Sequence, residues 1–359
     1  NHGAVFLSEM LNMWLSFRLD CISSVLVFVT AIFAVTLKGK LTASAFGLAI
    51  SNSFQQLVFF TWVVRGFAEI NSQIACMERI SFFANNTKTE APARIKKTEP
   101  AADWPQAGAV EIQNLVLRYS PKLDPVLKGV SISINGGEKI GVVGRTGSGK
   151  TTLLMSLFRL IEPDSGIIKI DGVDIMPLGL NDLRSKIAII PQEPVLFKGT
   201  IRTNLDPFGR IEDRDIWEAL ACANMKEEIE KLPKQLESPV LEGGSNYSLG
   251  QKQLICLSRA VLNKSKLLVF DEATAAMDSQ TDAEIQKTIR KVFAERTILT
   301  IAHRLETIID SDRILVMDAG QVIEFDTPAN LLSNPNGSFT RLVDQTGPDT
   351  SAALRKVAF

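Results

Sequence analysis

At 359 residues the chain is long enough for two domains, and 39 basic against 40 acidic side chains leave a formal net charge of −1. With that balance and no long basic run, nothing suggests nucleic acid as a partner. The four cysteines, Cys21, Cys76, Cys222 and Cys256, are scattered with no CxxC pair, which excludes a disulfide framework or zinc site and fits a reducing compartment.

The chain starts at Asn1 inside an apolar pattern that lacks signal-peptide features, and it reads as a piece of a longer protein. Two uncharged stretches follow. Cys21 to Leu37 (CISSVLVFVTAIFAVTL) and Leu41 to Val64 are separated by Lys38-Gly39-Lys40. A bilayer-spanning helix needs about 20 mostly apolar residues, so the pair predicts two antiparallel spans, at about 21–37 and 41–64. A buried helical hairpin is the competing reading. Trp14 and Trp62 lie near the expected ends, where interfacial aromatics collect. Asn52, Gln55, Gln56 and Thr61 interrupt the second stretch, either as hydrogen-bonding groups between helices or as part of a substrate pathway.

Residues 85–109 are polar and rich in Pro, Ala, Lys and Glu, the composition of a linker. From Val110 to about Asp344 the pattern is that of an α/β domain, and a loosely ordered tail is expected from Gln345 to Phe359. Four apolar runs in the α/β region stop at polar residues. KIGVVG enters a glycine loop, IAIIPQ ends at Gln192, LLVFDE at Asp271 and Glu272, and TILTIAH at His303. Continuous Val/Ile/Leu runs suit parallel strands covered on both faces. Ligands of such sheets bind beyond the carboxyl ends of the strands. Neighbouring strands would therefore converge these polar ends on one site.

The glycine loop, Gly144–Thr151 (GRTGSGKT), sits between a strand and the helical run TTLLMSLFRLI and fits the Gly-x-x-x-x-Gly-Lys-Ser/Thr pattern. Its glycines let main-chain N–H groups face phosphates, and the helix start adds positive partial charge. Lys150 then reaches the β/γ-phosphates, Thr151 ligates Mg2+, and Asp271 holds the metal shell. Glu272 is left to orient and polarise the attacking water, with His303 at the γ-phosphate.

These motifs occur in an order that resembles the nucleotide-binding domain of ABC transporters over residues 110–345. The resemblance implies an α/β P-loop NTPase with a helical subdomain, preceded by an α-helical transmembrane segment over residues 1–84. It implies ATP and Mg2+ as cofactors. It assigns Tyr119 in LRYSP to the adenine, with Val126, and the phosphate loop to Gly144, Arg145, Thr146, Gly147, Ser148, Gly149, Lys150, Thr151 and Thr152. Gln192 in PQEP becomes the loop glutamine that senses magnesium and contacts the membrane domain. Tyr247–Gln251 (YSLGQ) matches the signature sequence LSGGQ through Ser248, Leu249, Gly250 and Gln251, near the start of a helix within 193–266. LLVFDEAT carries the Walker B Asp271 and catalytic Glu272, Ala275–Asp278 (AAMD) is the loop that crosses the dimer, and His303 is the switch histidine.

TIRTNLDPF (Thr200–Phe208), GRTGSGKT and DEATAAMD together resemble the second nucleotide-binding domain of the C subfamily, the multidrug-resistance-associated type, and residues 1–84 are similar to its last two membrane helices. Leu249 departs from the family by replacing the central signature glycine. The resemblance then implies two unequal sites. The competent one takes its signature from a first nucleotide-binding domain, and the weak one uses YSLGQ. It further implies export of amphipathic organic anions and conjugates, a plasma or vacuolar membrane with the nucleotide-binding domain cytosolic, and partners in the bilayer and the remaining membrane helices. An ATP-gated channel or channel regulator of the same subfamily is the alternative, and a soluble ATPase of the superfamily is disfavoured by the fused spans. Trp62 and Arg65, one helical turn apart, read either as an interfacial Trp with a snorkelling Arg or as a contact for an amphipathic anionic substrate.

Overall fold

The computed structural model describes residues 2–37, 42–87, 89–271, 289–302 and 304–358. The chain divides into two compact units, Asn1–Glu90 and Ala91–Phe359.

The first unit is a helical pair, α1 (His2–Thr36) and α2 (Ala43–Asn86). The Ser53 hydroxyl lies 3.4 Å from that of Thr30, and Arg65 donates to the Ser16 hydroxyl. Residue 53 opposite 30 and 65 opposite 16 define an antiparallel hairpin. Its polarity is inverted relative to a water-soluble pair: Ser53 is buried while Phe28, Phe33 and Phe59 are exposed, an arrangement suited to apolar surroundings. Among the described residues one stretch, Glu9–Thr36, is long and apolar enough to cross a membrane.

The second expected span differs from the structure. Helix α2 continues to Asn86, and its 44 residues amount to about 66 Å, twice a hydrocarbon core of about 30 Å. Asn52, Gln55 and Gln56 lower the apolar content of its first half.

The second unit is built on two sheets. The smaller is antiparallel, in the order β2 (Leu127–Ile134), β1 (Val110–Leu117), β4 (Ser165–Ile170), β5 (Val173–Asp174). The larger runs β12 (Gln321–Asp326), β11 (Arg313–Asp318), β3 (Lys139–Gly144), β10 (Thr297–Ile301), β9 (Leu267–Asp271), β6 (Ile187–Ile190). All its pairs are parallel except β11–β12. A two-stranded ribbon joins β7 (Gly199–Thr200) to β8 (Pro239–Val240).

The near-continuous apolar strands of the larger sheet are covered on both faces, as parallel strands require. Leu315 and Met317 of β11 pack in one core with Leu153 and Leu157 of α3 (Lys150–Leu157). Ile314 and Val316 pack on the other face with Phe339 and Val343. Helices α4 (Leu180–Arg184), α5 (Ile201–Leu205), α6 (Asp213–Cys222), α7 (Lys226–Glu230) and α8 (Leu249–Leu262) follow. The last four close a separate core around Ile201, Ile216, Ile229 and Ile255, which is the helical subdomain.

Most of two stretches expected to be loose is ordered in this unit. The linker composition of 85–109 conceals a strap from residue 91 onward. Asn181 N–H donates to the Ala93 carbonyl at 2.8 Å and the Thr98 hydroxyl to that of Pro177 at 2.6 Å. Trp104 is 5% exposed and its indole N–H reaches the Ile170 carbonyl at 2.9 Å. The tail forms a helix, Pro348–Ala358, because Leu354 packs into the cluster of Phe339 and Val343.

Candidate functional site

The strand order places β6, β9, β10 and β3 side by side and parallel. Their carboxyl ends therefore open on one edge, and a cleft of about 400 Å3 lies there. The phosphate loop contributes Thr146, Gly147, Gly149, Lys150, Thr151 and Thr152, β9 contributes Asp271, and the segment after β6 contributes Gln192. Tyr119 and Val126, beyond β1, line the same cleft. The structure also adds Ile301, the last residue of β10, which the sequence reading passed over. Its signal was the strand end itself, one residue before Ala302-His303.

Local backbone chemistry explains the loop. Gly149 caps α3 with φ 101°, a left-handed conformation that L side chains rarely adopt. A Cβ on Gly144 would lie 2.2 Å from the Met317 carbonyl oxygen of neighbouring β11, so the loop can leave β3 there only as glycine. Lys150 is 6% exposed, and its ammonium donates to the carbonyls of Gly144 at 2.8 Å and Arg145 at 3.2 Å. The loop thus holds its cation in place. The Ser148 hydroxyl is buried with no hydrogen-bond partner among the described residues, a cost that a ligand oxygen would relieve.

Tyr119 is half exposed, and its hydroxyl lies 3.0 Å from that of Thr152. One edge of the ring is therefore fixed over the start of α3 while the ring stays open to the cleft. Thr151, Asp271 and Gln192 bring a hydroxyl, a carboxylate and an amide to the same cleft, the hard oxygen donors that suit Mg2+. Among the described residues no group of three or more His, Cys, Asp or Glu could hold a metal alone. Glu272, His303 and the Ala275–Asp278 loop lie outside the described residues.

Ser248, Leu249, Gly250 and Gln251 are not among the residues that line this cleft, while the Gln253 amide of α8 reaches the Gln192 carbonyl at 3.5 Å. Ser248 caps α8. Its hydroxyl accepts from Gln251 N–H at 3.2 Å, and the Gln251 side-chain oxygen accepts from Ser248 N–H at 3.0 Å, a capping box that satisfies two orphan donors. The Gln251 amide also donates to Glu228 of α7 at 2.8 Å. Leu249 is 40% exposed at the first helical position. Beside it, burial pushes the Tyr247 phenol above its ordinary value, so it is a neutral hydroxyl at neutral pH. Behind the segment, Arg259 of α8 donates to the Asn204 carbonyl at 2.6 Å and the Val195 carbonyl at 2.7 Å. This ties the helix to α5 and to the stretch that follows Gln192.

In the first unit, Trp62 is 76% exposed, and Arg65 is engaged with Ser16 of α1.

The fold and the cleft define a P-loop NTPase of the ABC type. Residues 127–275 match the family model described as ABC transporter. The chain is 46% identical over 347 residues to ATP-binding cassette sub-family C member 2 of Rattus norvegicus, covering 97% of this chain and 22% of that protein. It is 46% identical over 358 residues to ABC transporter C family member 12 of Dictyostelium discoideum, covering 100% of this chain and 27% of that protein. A bacterial Atm1-family ABC exporter with ATP bound superposes with a TM-score of 0.78 at 28% identity, over 97% of this chain and 61% of that one. The chain belongs to the ABC transporter family, with C-subfamily relatives along nearly its whole length, and carries the family's ATPase domain. It spans about a quarter of the length of the curated relatives it matches.

Proposed function

We propose that this chain is the C-terminal part of an ATP-driven efflux transporter of amphipathic organic anions and conjugates, which hydrolyses MgATP at sites shared between two nucleotide-binding domains. The observation that carries this reading is the separation within the ATPase unit. Tyr119, Lys150, Thr151, Gln192 and Asp271 line one cleft, while Ser248–Gln251, on α8, are not among its lining residues. A signature placed apart from its own cleft serves a nucleotide held by a partner domain. The partner in this reading is the first nucleotide-binding domain of the same protein, together with its remaining membrane helices.

Lys150 neutralises the β/γ-phosphates by turning from the loop carbonyls toward them. Thr151, Gln192 and Asp271 would hold Mg2+, which would neutralise developing charge on the phosphates. Glu272 orients the attacking water and His303 contacts the γ-phosphate. Leu249 hinders close main-chain approach at the second site, leaving the two sites unequal. Helices α1 and α2 sit in a plasma or vacuolar membrane, with the ATPase unit cytosolic. Trp62 offers a ring to an aromatic anion, with Arg65 one turn away.

The test is steady-state MgATP hydrolysis by the full-length protein, wild type against Glu272→Gln, with ATP binding measured in both. Turnover is expected to fall by roughly 10²–10⁴ while binding persists. Hydrolysis that survives the substitution overturns the assignment of Glu272 and the unequal-site reading with it.

A further inference from the structure

A second concavity lies at the opposite edge of the larger sheet. Strands β9 and β10 are paired in parallel with Leu267 beside Thr297. Lys266 and Arg296, the residues that enter them, are therefore neighbours, and Thr297 N–H donates to the Lys266 carbonyl at 2.9 Å. At about 3.3 Å per residue, the five residues of β9 put this edge some 16 Å from Asp271 and the nucleotide cleft.

The cavity there has a volume of about 550 Å3 and is lined by Lys264, Lys266, Lys291 and Arg296, with Glu295 as its one carboxylate among the described residues. Other cations at this edge are compensated. The Lys139 ammonium donates to the carbonyls of Gly137 and Ala294 and feels Asp312, while Arg313 lies 3.3 Å from Glu138. At the cavity the pairing is thin. Lys264 reaches Asp215 only at 4.0 Å, with its side chain 80% exposed, and neither Lys266 nor Lys291 has a carboxylate within 4.0 Å among the described residues. Arg296 is positioned rather than neutralised, with its guanidinium over the Phe293 ring at 4.9 Å and donating to the Ala260 carbonyl at 3.3 Å.

Lysines on a convex helix spread apart into solvent. Here four cations from two chain segments face one concave wall, where the surrounding low-dielectric protein focuses their field. We infer that this cavity is a second anion site, distinct from the nucleotide cleft, that takes a ligand bearing several phosphates. Lys266 and Arg296 form its floor and Lys264 and Lys291 its rim.

The ligand chemistry is shared by a free polyphosphorylated polyol and a phosphorylated lipid headgroup, and the experiment separates them. The full-length protein, with its nucleotide cleft saturated by MgATP, is titrated with inositol hexakisphosphate. It is titrated separately with phosphatidylcholine vesicles containing a phosphatidylinositol bisphosphate. Wild type is expected to bind one of the probes, with affinity that falls as salt rises. Lys266→Gln/Lys291→Gln is expected to bind it at least about tenfold more weakly through loss of two charge-assisted contacts, with ATP binding and the thermal midpoint unchanged. Binding of the soluble probe assigns a free anion, and binding of the vesicles alone assigns a headgroup. The exposed single variant Lys291→Gln repeats the comparison if the double variant is unstable. Binding of neither probe, or binding by the variants equal to wild type, overturns the proposal.

Discussion

Trp104 tests whether the segment after the helical pair is a tether or part of the ATPase unit. The side chain is 5% exposed, packed in the core that contains Val110, Ile112 and Ile170, and its indole N–H reaches the Ile170 carbonyl at 2.9 Å. Burying a Trp removes about 150–250 Å2 from water, worth about 4–6 kcal/mol at 25 cal/mol per Å2 before the cost of ordering it. Measured truncations of this kind cost about 3–5 kcal/mol. Trp104→Ala is therefore expected to destabilise the ATPase unit by about 4 kcal/mol, or about 10 °C in its unfolding midpoint at about 2–4 °C per kcal/mol. Trp104→Phe keeps most of the apolar area and removes the donor. It should cost about 1–3 kcal/mol, since the Ile170 carbonyl loses its partner. Scanning calorimetry of the full-length protein, with the ATPase transition identified by its shift with MgATP, reads both values. A midpoint within about 2 °C of wild type for Trp104→Ala would refute the reasoning, because a solvated tether contributes nothing to the fold it precedes.

The same strap predicts a pH dependence. Burial acts to raise the Asp171 carboxyl, but the N–H groups of Gly108, Ala107 and Ala109 outweigh it and hold it below the ordinary carboxylate value. A carboxyl depressed in the folded state contributes stability above its unfolded pKa, near 3.9, and that stability is lost as pH falls through the folded value. Asp171→Asn should thus lower the midpoint at pH 7 and flatten its decline below about pH 4, and a decline as steep as that of wild type would remove Asp171 as its source. At the phosphate loop, Gly144→Ala sets a methyl 2.2 Å from the Met317 carbonyl oxygen. ATP affinity, read by fluorescent-nucleotide displacement, should fall at least about tenfold, a loss of about 1.4 kcal/mol, and unchanged affinity would show that β3 and β11 can part without cost.

How much was legible beforehand depends on how local the cause is. KIGVVG, IAIIPQ, LLVFDE and TILTIAH each encode a strand and its polar end within a few residues, while the neighbouring order that brings Gln192 and Asp271 to the phosphate loop comes only from the long-range pairing of β3, β10, β9 and β6. The cap of α8 is equally local, since Ser248 and Gln251 stand three residues apart in a Ser-x-x-Gln box. The strap was hidden because composition is an average. One tryptophan among Pro, Ala, Lys and Glu anchors it, to a carbonyl 66 residues away. The terminal helix was hidden for the same reason, since Leu354 finds its cluster only once Phe339 and Val343 are placed. The basic cavity lies furthest from sequence, because Lys266 and Arg296 become neighbours only through the register of β9 and β10.

The signature segment shows how one short stretch can carry two demands. Capping α8 uses one acceptor lone pair of the Ser248 hydroxyl, which takes the Gln251 N–H. A serine hydroxyl has a second lone pair and a proton. The group that starts the helix therefore keeps a donor, which under the proposed shared sites would serve a phosphate oxygen. The two roles also fix the geometry together, because the hydrogen bond that holds the cap fixes the direction left for the donor. Leu249 meets the first demand and not the second. Its helix propensity is high, so the cap and α8 form as they would with glycine or better. Its side chain, 40% exposed at the start of the helix, occupies space that a bare glycine would leave to an approaching ligand. Folding therefore does not oppose the departure from LSGGQ, and under the proposed shared sites its consequence would fall on nucleotide contact.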